Sequence, residues 1–217
     1  MHRVGAQTFV ILLMAAFIWM GCEDEQFADD DMTVDDQEQT ADRDLPQEQE
    51  EFWSNLEEHC GKAYAGEAQD MREDDTRRHD LYQDKPMVAH FRQCLDDELR
   101  IPGHIAEDRS RTWLLTKVDG GLDLRHDHRE EDGSDSDNTM YGASTVDAGT
   151  SLRQEFVREE GSGYWVLELE PGERFIYGNY DGEEWLVRFV FDLNEEVDPP
   201  PAPWGYEDTE PTHGDAE

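Results

Sequence analysis

Residues 165–193, WVLELEPGERFIYGNYDGEEWLVRFVFDL, form the stretch that decides the fold. In its first part, Trp165, Leu167 and Leu169 share one face and Glu168 and Glu170 share the other, which is the period of a half-buried strand. A Pro-Gly and an Asp-Gly turn sequence divide the stretch into three such segments. The stretch therefore predicts three antiparallel strands joined by tight hairpins.

The same two-residue period occurs further upstream. It predicts strands within residues 86–94, 99–101, 112–118 and 122–128, and brings the total to about eight. A meander of this length must close on itself or pack on a second sheet to protect its edges. We therefore expect a mainly β fold, an antiparallel meander of about eight strands closed into a lipocalin-like barrel, with a β-sandwich as the alternative.

The flanking regions differ from this domain in composition. Phe52, Trp53, Leu56 and Cys60 recur at helical spacing, which predicts one short N-terminal helix before the strands. The acidic segments on either side contain too few apolar residues to offset the cost of ordering. The predicted organisation is a signal peptide at 1–21, a lipidated cysteine and disordered acidic tether at 22–49, the β-barrel domain at 50–194, and a disordered Pro-rich acidic tail at 195–217.

Cys22 directly follows an N-terminal secretion signal. The apolar run from Phe9 to Met20 is about a dozen residues, shorter than the ~20 that a spanning helix needs, and the small residue Gly21 precedes the cysteine. The pattern resembles a bacterial lipobox, which implies cleavage before Cys22 and acylation of its thiol, for example with palmitate. We therefore expect a lipoprotein anchored in the cell envelope, facing the periplasm or the exterior; an ordinary cleaved signal with a free Cys22 is the alternative.

With Cys22 assigned to a lipid, the remaining cysteines are Cys60 and Cys94. In an oxidising compartment such a pair is most simply a disulfide. Buried thiols or metal ligands are the alternatives, although no C-x-x-C spacing supports a zinc site.

The formal net charge of -37 restricts the partners of this chain. Such a surface repels the phosphates of nucleic acids and anionic lipid headgroups, so we expect no nucleic-acid partner and a membrane contact only through the N-terminal lipid. An excess of acids with only three lysines also fits a protein adapted to concentrated salt, because salt screens self-repulsion.

The histidines of one predicted strand are candidates for a site. Leu122, Leu124, His126 and His128 share one face, so two imidazoles can converge on one ligand or on a divalent metal ion. The competing interpretation is a pair of histidines hydrogen-bonded to carboxylates. An H-x-H pair needs a third protein ligand to hold zinc.

Two arginines stand among acids shortly before that strand. Arg109 and Arg111 can clamp a carboxylate, although ion pairing is the simpler expectation in this composition. Evidence for catalysis is weak, because the chain has no G-x-S-x-G nucleophile elbow and no glycine-rich phosphate loop after a strand.

Several motifs resemble those of an uncharacterised family of secreted bacterial proteins. They are CGKAYAG (60–66), RIPGHIAEDRSRTW (100–113), RHDHREEDG (125–133), TMYG (139–142) and GTSLRQEF (149–156), and the resemblance covers Phe52 to Leu193. It implies no particular activity, but it places the following residues in shared motifs: His104, Arg109, Arg111, His126, His128, Tyr141 and Arg153. Glu130 stands where the resemblance leads us to expect a third histidine, which weakens a metal site built from histidines alone.

Three functions follow as hypotheses. The first is a lipoprotein that binds a small molecule or cation in its barrel through His104, Arg109, Arg111, His126, His128 and Tyr141. The second is a metal-dependent hydrolase, in which His126 and His128 hold the ion and Glu130 or Glu131 is the base. The third is a structural or adhesive surface module without a ligand.

Overall fold

The computed structural model describes residues 44–158 and 163–212, which contain two helices and eleven strands. The predicted signal peptide, Cys22 and most of the predicted tether lie outside these residues. The elements in chain order are α1 (Gln47–Glu57), β1 (Ala63–Met71), α2 (Thr76–Tyr82), β2 (Met87–His90), β3 (Gln93–Cys94), β4 (Glu98–Ile105), β5 (Arg111–Val118), β6 (Gly121–His128), β7 (Tyr141–Ser144), β8 (Arg153–Val157), β9 (Tyr164–Glu170), β10 (Arg174–Tyr180) and β11 (Trp185–Val197).

The strands form an antiparallel sheet that is nearly closed into a barrel. The order is β7-β6-β5-β4-β2-β1-β11-β10-β9-β8, and β3 pairs with β4 beside this path. Pairing of β1 with β11 joins the first and last strands. An isolated bridge between Thr145 and Phe156 connects the two outer strands, β7 and β8, so we call this junction the seam.

The prediction of about eight strands is wrong, because three strands have weak sequence patterns. β1 reads AYAGEAQDM and contains mostly small or polar residues, β7 is the four-residue segment YGAS, and β8 reads RQEFV. In addition, the predicted strand at 86–94 is divided into β2 and β3. The three hairpin strands at 164–197 agree with the alternation of Trp165, Leu167 and Leu169, which all belong to the buried core.

The prediction of one short N-terminal helix is wrong in number, because the structure describes two helices. The first described helix, α1, begins at Gln47 rather than at the start of the chain, and α2 lies between β1 and β2. The helical spacing of Phe52, Trp53 and Leu56 reflects real burial, since at most 1% of each side chain is exposed. Neither of these two helices is long and apolar enough to cross a membrane.

α1 covers one end of the barrel, which we call the closed end. The buried Gln49 amide donates hydrogen bonds to the Asp147 carbonyl oxygen (2.9 Å) and the Thr145 hydroxyl (3.0 Å). Asn55 Nδ2 donates to the Ser151 carbonyl oxygen at 2.9 Å. All three acceptors lie in the connection between β7 and β8. The hydrogen bonds of α1 therefore stabilise the seam, where only an isolated bridge pairs the strands.

A disulfide joins Cys60 to Cys94, as predicted. It connects the residues that follow α1 to β3, next to the start of β4 at the closed end. Closing a loop with a sequence separation of 34 residues contributes about 3 to 4 kcal/mol in the chain-entropy description.

The chain after β11 forms hydrogen bonds with the barrel strands as far as Thr212, so its described residues, 195–212, differ from the disordered tail predicted at 195–217. β11 continues to Val197, and residues 198–212, which we call the C-terminal segment, form hydrogen bonds with the strands. Tyr206 Oη donates to Asp127 Oδ2 at 2.5 Å, Arg109 Nη1 donates to the Ala202 carbonyl oxygen at 2.8 Å, and Cys94 N donates to the Thr212 carbonyl oxygen at 3.0 Å. These contacts compensate for the low apolar content on which the prediction of disorder depended.

Candidate ligand cavity

A cavity of about 600 Å³ lies at the end of the barrel opposite α1, which we call the open end. Its walls come from the last residues of β4, β6 and β10, from residues in the first half of β2, β5, β7, β9 and β11, from α2, and from Arg158, which follows β8. The aromatic residues that line it are Tyr82, Trp113, Tyr141, Trp165, Tyr177, Phe189 and Phe191. The arginines that line it are Arg77, Arg78, Arg111, Arg125 and Arg158.

His126 is held in the wall by both of its ring nitrogens. Nδ1 lies 3.0 Å from the Tyr141 carbonyl oxygen, and Nε2 lies 2.5 Å from Tyr177 Oη. Because a carbonyl oxygen can only accept, Nδ1 carries the proton and Nε2 accepts from the Tyr177 hydroxyl. The imidazole also stacks on the Tyr141 ring, with centroids 4.6 Å apart. His126 is therefore a fixed, fully hydrogen-bonded part of the wall.

Burial keeps this histidine neutral. It lowers the pKa of His126 to about 4, against a weak opposing effect of the hydrogen bond to the Tyr141 carbonyl. Burial also raises the pKa of the Tyr177 hydroxyl well above its usual value. Both groups are therefore uncharged near neutral pH, and the hydrogen bond between them joins two neutral partners.

The predicted metal site is not found in the part of the chain that the structure describes. No group of three or more His, Cys, Asp or Glu side chains is placed to hold an ion there. Both nitrogens of His126 are already engaged, and His128 is half-buried nearer the surface. Burial, followed by the neighbouring Arg111, lowers the pKa of His128.

Arg111 lies on the inward face of β5, at the start of the strand. It pairs in register with His128, and Trp113 pairs with His126 one step deeper, so Arg111 lies directly above the aromatic wall. Arg111 forms an ion pair with Asp108 and donates to Ser110 Oγ at 2.9 Å. Burial opposes its charge, but the Asp108 carboxylate outweighs this effect and raises the pKa of Arg111.

Tyr141 lies where several cationic groups converge. Burial raises the pKa of its hydroxyl, and the nearby Tyr82 adds to this effect. Arg111, Arg77 and Arg158 act in the opposite direction, because their positive charges favour the phenolate. Three arginines from α2, β5 and the end of β8 thus place a positive potential at one tyrosine.

One predicted ligand residue, Arg109, instead binds the C-terminal segment, and another, His104, borders the cavity from β4. Gly103 faces the Trp113 ring inside the barrel, so the side chain of the next residue, His104, points outward. His104 borders the cavity along β4, its side chain is buried, and its Nε2 has no hydrogen-bond partner among the described residues. Burial, followed by the charge of Arg109, lowers the pKa of His104 to about 4. Arg109 binds the C-terminal segment through the Ala202 carbonyl oxygen.

The structure thus brings only part of the predicted set together. His104, Arg111, His126 and Tyr141 line the cavity, whereas Arg109 and His128 are not among its lining residues. Arg153, the further residue of the shared motifs, forms ion pairs with Glu155 and Glu168 and is not a lining residue either.

The TMYG segment has a structural explanation. A Cβ atom on Gly142 would lie 1.8 Å from the Leu124 carbonyl oxygen, so only glycine allows β7 to approach β6 this closely. The preceding Met140 has a positive φ of 55°. This tight approach holds Tyr141 against His126.

Sequence reasoning missed α2 and its contribution to the site. The segment TRRHDLY (76–82) is short, but Asp75 accepts a hydrogen bond from Arg78 N at 3.0 Å, which is a typical N-cap signal. Tyr82 then packs edge-on against Phe189, with ring centroids 4.9 Å apart. In the sequence, this helix is indicated by the N-cap residue Asp75, which precedes Arg77 and Arg78, and by Tyr82 at the end of the helix.

No protein-family model matches this chain, and comparison with curated proteins and with solved structures likewise found no match. The resemblance to a family of secreted bacterial proteins therefore stays a prediction.

Proposed function

We propose that this chain is a lipid-anchored protein of the bacterial cell envelope that binds a small organic molecule in its barrel cavity. The observation that carries the proposal is the cavity itself, about 600 Å³ in volume and lined by seven aromatic residues. Ligand sites typically enclose about 300 to 1,000 Å³ and combine an apolar wall with a few placed polar groups. In this proposal the barrel acts as lipocalins do, with the ligand inside.

The anchoring part of the proposal is supported by the sequence around Cys22 and by the disulfide. Cys22 follows an apolar run with a small residue before it, as in lipoprotein signals. The Cys60–Cys94 disulfide fits an oxidising compartment such as the bacterial periplasm. Intact-mass measurement of membrane-extracted protein should show an acyl mass on Cys22, and its absence would contradict the anchor.

The other two functions have less support. A metal-dependent hydrolase requires an ion that the described histidines are not arranged to hold. A purely structural or adhesive module has no need of a large aromatic cavity, because such a volume forfeits packing energy. Small-ligand binding accounts for the cavity and for the fixed polar groups in its wall.

The test is binding of a neutral aromatic probe, N-phenyl-1-naphthylamine, to the full chain carrying Cys22→Ser, which removes the lipid attachment point. Fluorescence should rise on binding, and Asn179→Trp, which adds an indole at the cavity wall, should weaken the affinity at least tenfold. Asn194→Trp is the matched control, since Asn194 is exposed on β11 and does not line the cavity. Equal affinity in the two variants, or no binding to the parent chain, would refute the proposed site.

A further inference from the structure

The cavity has the opposite charge from the rest of the chain. The protein contains 55 acidic and 18 basic residues, a net charge of -37. Among the described residues, five arginines line the cavity, and no aspartate or glutamate does. A set of residues drawn at random from this sequence would contain more acidic than basic side chains. The local excess of guanidinium groups therefore indicates selection for a negatively charged ligand group.

The arginines do not all have the same role. Arg125 is held by Asp123 on β6, with Nε 2.7 Å from the carboxylate, and alternates with the inward-facing His126, so it lies on the outer side of the strand. Arg77 and Arg78 belong to α2, Arg111 to β5, and Arg158 follows β8. These four come from three separated parts of the chain and meet at the open end.

Ion pairs neutralise only some of this charge. Arg78 is paired with Asp75, and Arg111 with Asp108, but neither acid lines the cavity. Arg77 forms no ion pair within the part of the chain that the structure describes. The guanidinium of Arg158 lies over the ring of Trp165, 5.5 Å from its centroid, and so remains at the cavity wall. Arg77 therefore gives the open end a positive charge in addition to its paired arginines.

Below the arginines the wall is aromatic and apolar. The Trp113 and Tyr177 rings lie with their centroids 4.4 Å apart, and Phe189 is stacked on Tyr177 at 5.9 Å. The hydroxyl of Tyr177 is already committed to His126, so the lower part of the cavity presents mainly ring faces and edges. This arrangement favours a ligand with an apolar or aromatic body over a free inorganic ion.

We propose that the cavity selects small organic anions, with the acid group at Arg77, Arg111 and Arg158 and the apolar or aromatic body against Trp113 and Tyr177. This inference rests on the proposed function and names the class of its ligand. Guanidinium groups bind carboxylate, sulfonate and phosphate oxygens through the same paired N–H donors. The acid group is therefore defined by its charge and its oxygens, and any of these three chemistries satisfies the site.

The test compares two probes that differ in one acid group. 1-Anilinonaphthalene-8-sulfonate has the ring framework of N-phenyl-1-naphthylamine with an added sulfonate. Arg77→Gln should weaken binding of the sulfonate probe about fivefold, and Arg77→Gln with Arg111→Gln at least tenfold, because charged hydrogen bonds are lost. Binding of the neutral probe should change less than twofold.

The controls separate charge from folding. Arg77 is exposed, so the single variant tests the charge without disturbing the core. Arg77→Lys should retain most of the sulfonate affinity, and Arg174→Gln, which removes an arginine paired with Glu170 away from the cavity, should have no effect. Equal weakening of both probes, or of neither, would overturn the selection for anions while leaving the ligand site intact. Failure of both probes to bind the parent chain would refute the proposed function itself.

Discussion

At the closed end of the barrel the inward faces of β5 and β6 carry Leu115, Leu122 and Leu124, whereas at the open end the same two strands carry Arg111 and His126. The closed end is filled by side chains of α1, and the open end encloses a cavity. The inward-facing residues of β5 and β6 thus pack in the core at one end of the barrel and line the cavity at the other. His126 can occupy an inward-facing position because both of its ring nitrogens have partners, in Tyr141 and Tyr177.

The two ends are expected to differ in packing, and the largest effect should come from shortening a buried side chain at the closed end. Phe52→Ala should lower the free energy of unfolding by about 3 to 5 kcal/mol, because Phe52 is fully buried and its loss leaves a void. Phe189→Ala, on the cavity wall, should cost distinctly less, since the new space joins an existing cavity. Urea denaturation measures both, with the exposed Ser54→Ala of α1 as control. Equal losses for the two phenylalanines would mean that the ends do not differ in packing.

The next effect concerns acid sensitivity of the open end. The pKa of His126 is about 4 in the folded chain and about 6.5 when unfolded, so between these values the unfolded state binds more protons. Stability therefore falls as the pH drops through this window, by about 2 kcal/mol between pH 7 and pH 5 for this one residue. His126→Gln should remove that part of the pH dependence in urea titrations, whereas His79→Gln, which is not a lining residue, should preserve it. An unchanged pH dependence in His126→Gln would show that His126 is not held neutral.

The smallest effect is expected on the outer side of the barrel, where the C-terminal segment is attached. Tyr206→Phe removes the hydrogen bond to Asp127, which keeps its contacts with Arg129 and Thr139. The expected loss is about 1 kcal/mol, the usual net value of one hydrogen bond. Amide exchange should then become faster in residues 198–212, while Tyr164→Phe on β9 should leave that exchange unchanged. Faster exchange throughout the barrel would instead indicate that the segment is part of the core.

The sequence predicts correctly the strands in which large apolar residues recur at every second position. The Pro-Gly and Asp-Gly turns and the large apolar residues of β9 to β11 mark their strands clearly, and Gly172 and Gly182 indeed have positive φ angles. β1, β7 and β8 were missed because tertiary pairing, not side-chain hydrophobicity, makes them strands.

Only the part of the site that lies on a single strand could be predicted from the sequence. The inward face shared by His126 with Leu122 and Leu124 followed from the two-residue period. The convergence of Arg77, Arg111 and Arg158 did not, because these residues are far apart in sequence and meet only when the barrel closes. Sequence spacing likewise suggested a metal for His126, since it cannot show that Tyr177 already occupies the imidazole nitrogen.

The contact between Thr212 and Cys94 has a practical consequence for handling the protein. Thr212 pairs with Gln93 and accepts a hydrogen bond from Cys94 N, beside the start of β4, and α1 begins at the same end of the barrel. The first described residues, before α1, and the last described residue, Thr212, therefore lie away from the open end. An affinity tag, a fluorophore or a surface linker joined directly after Thr212 starts on the side away from the cavity, so immobilised protein should keep the open end accessible.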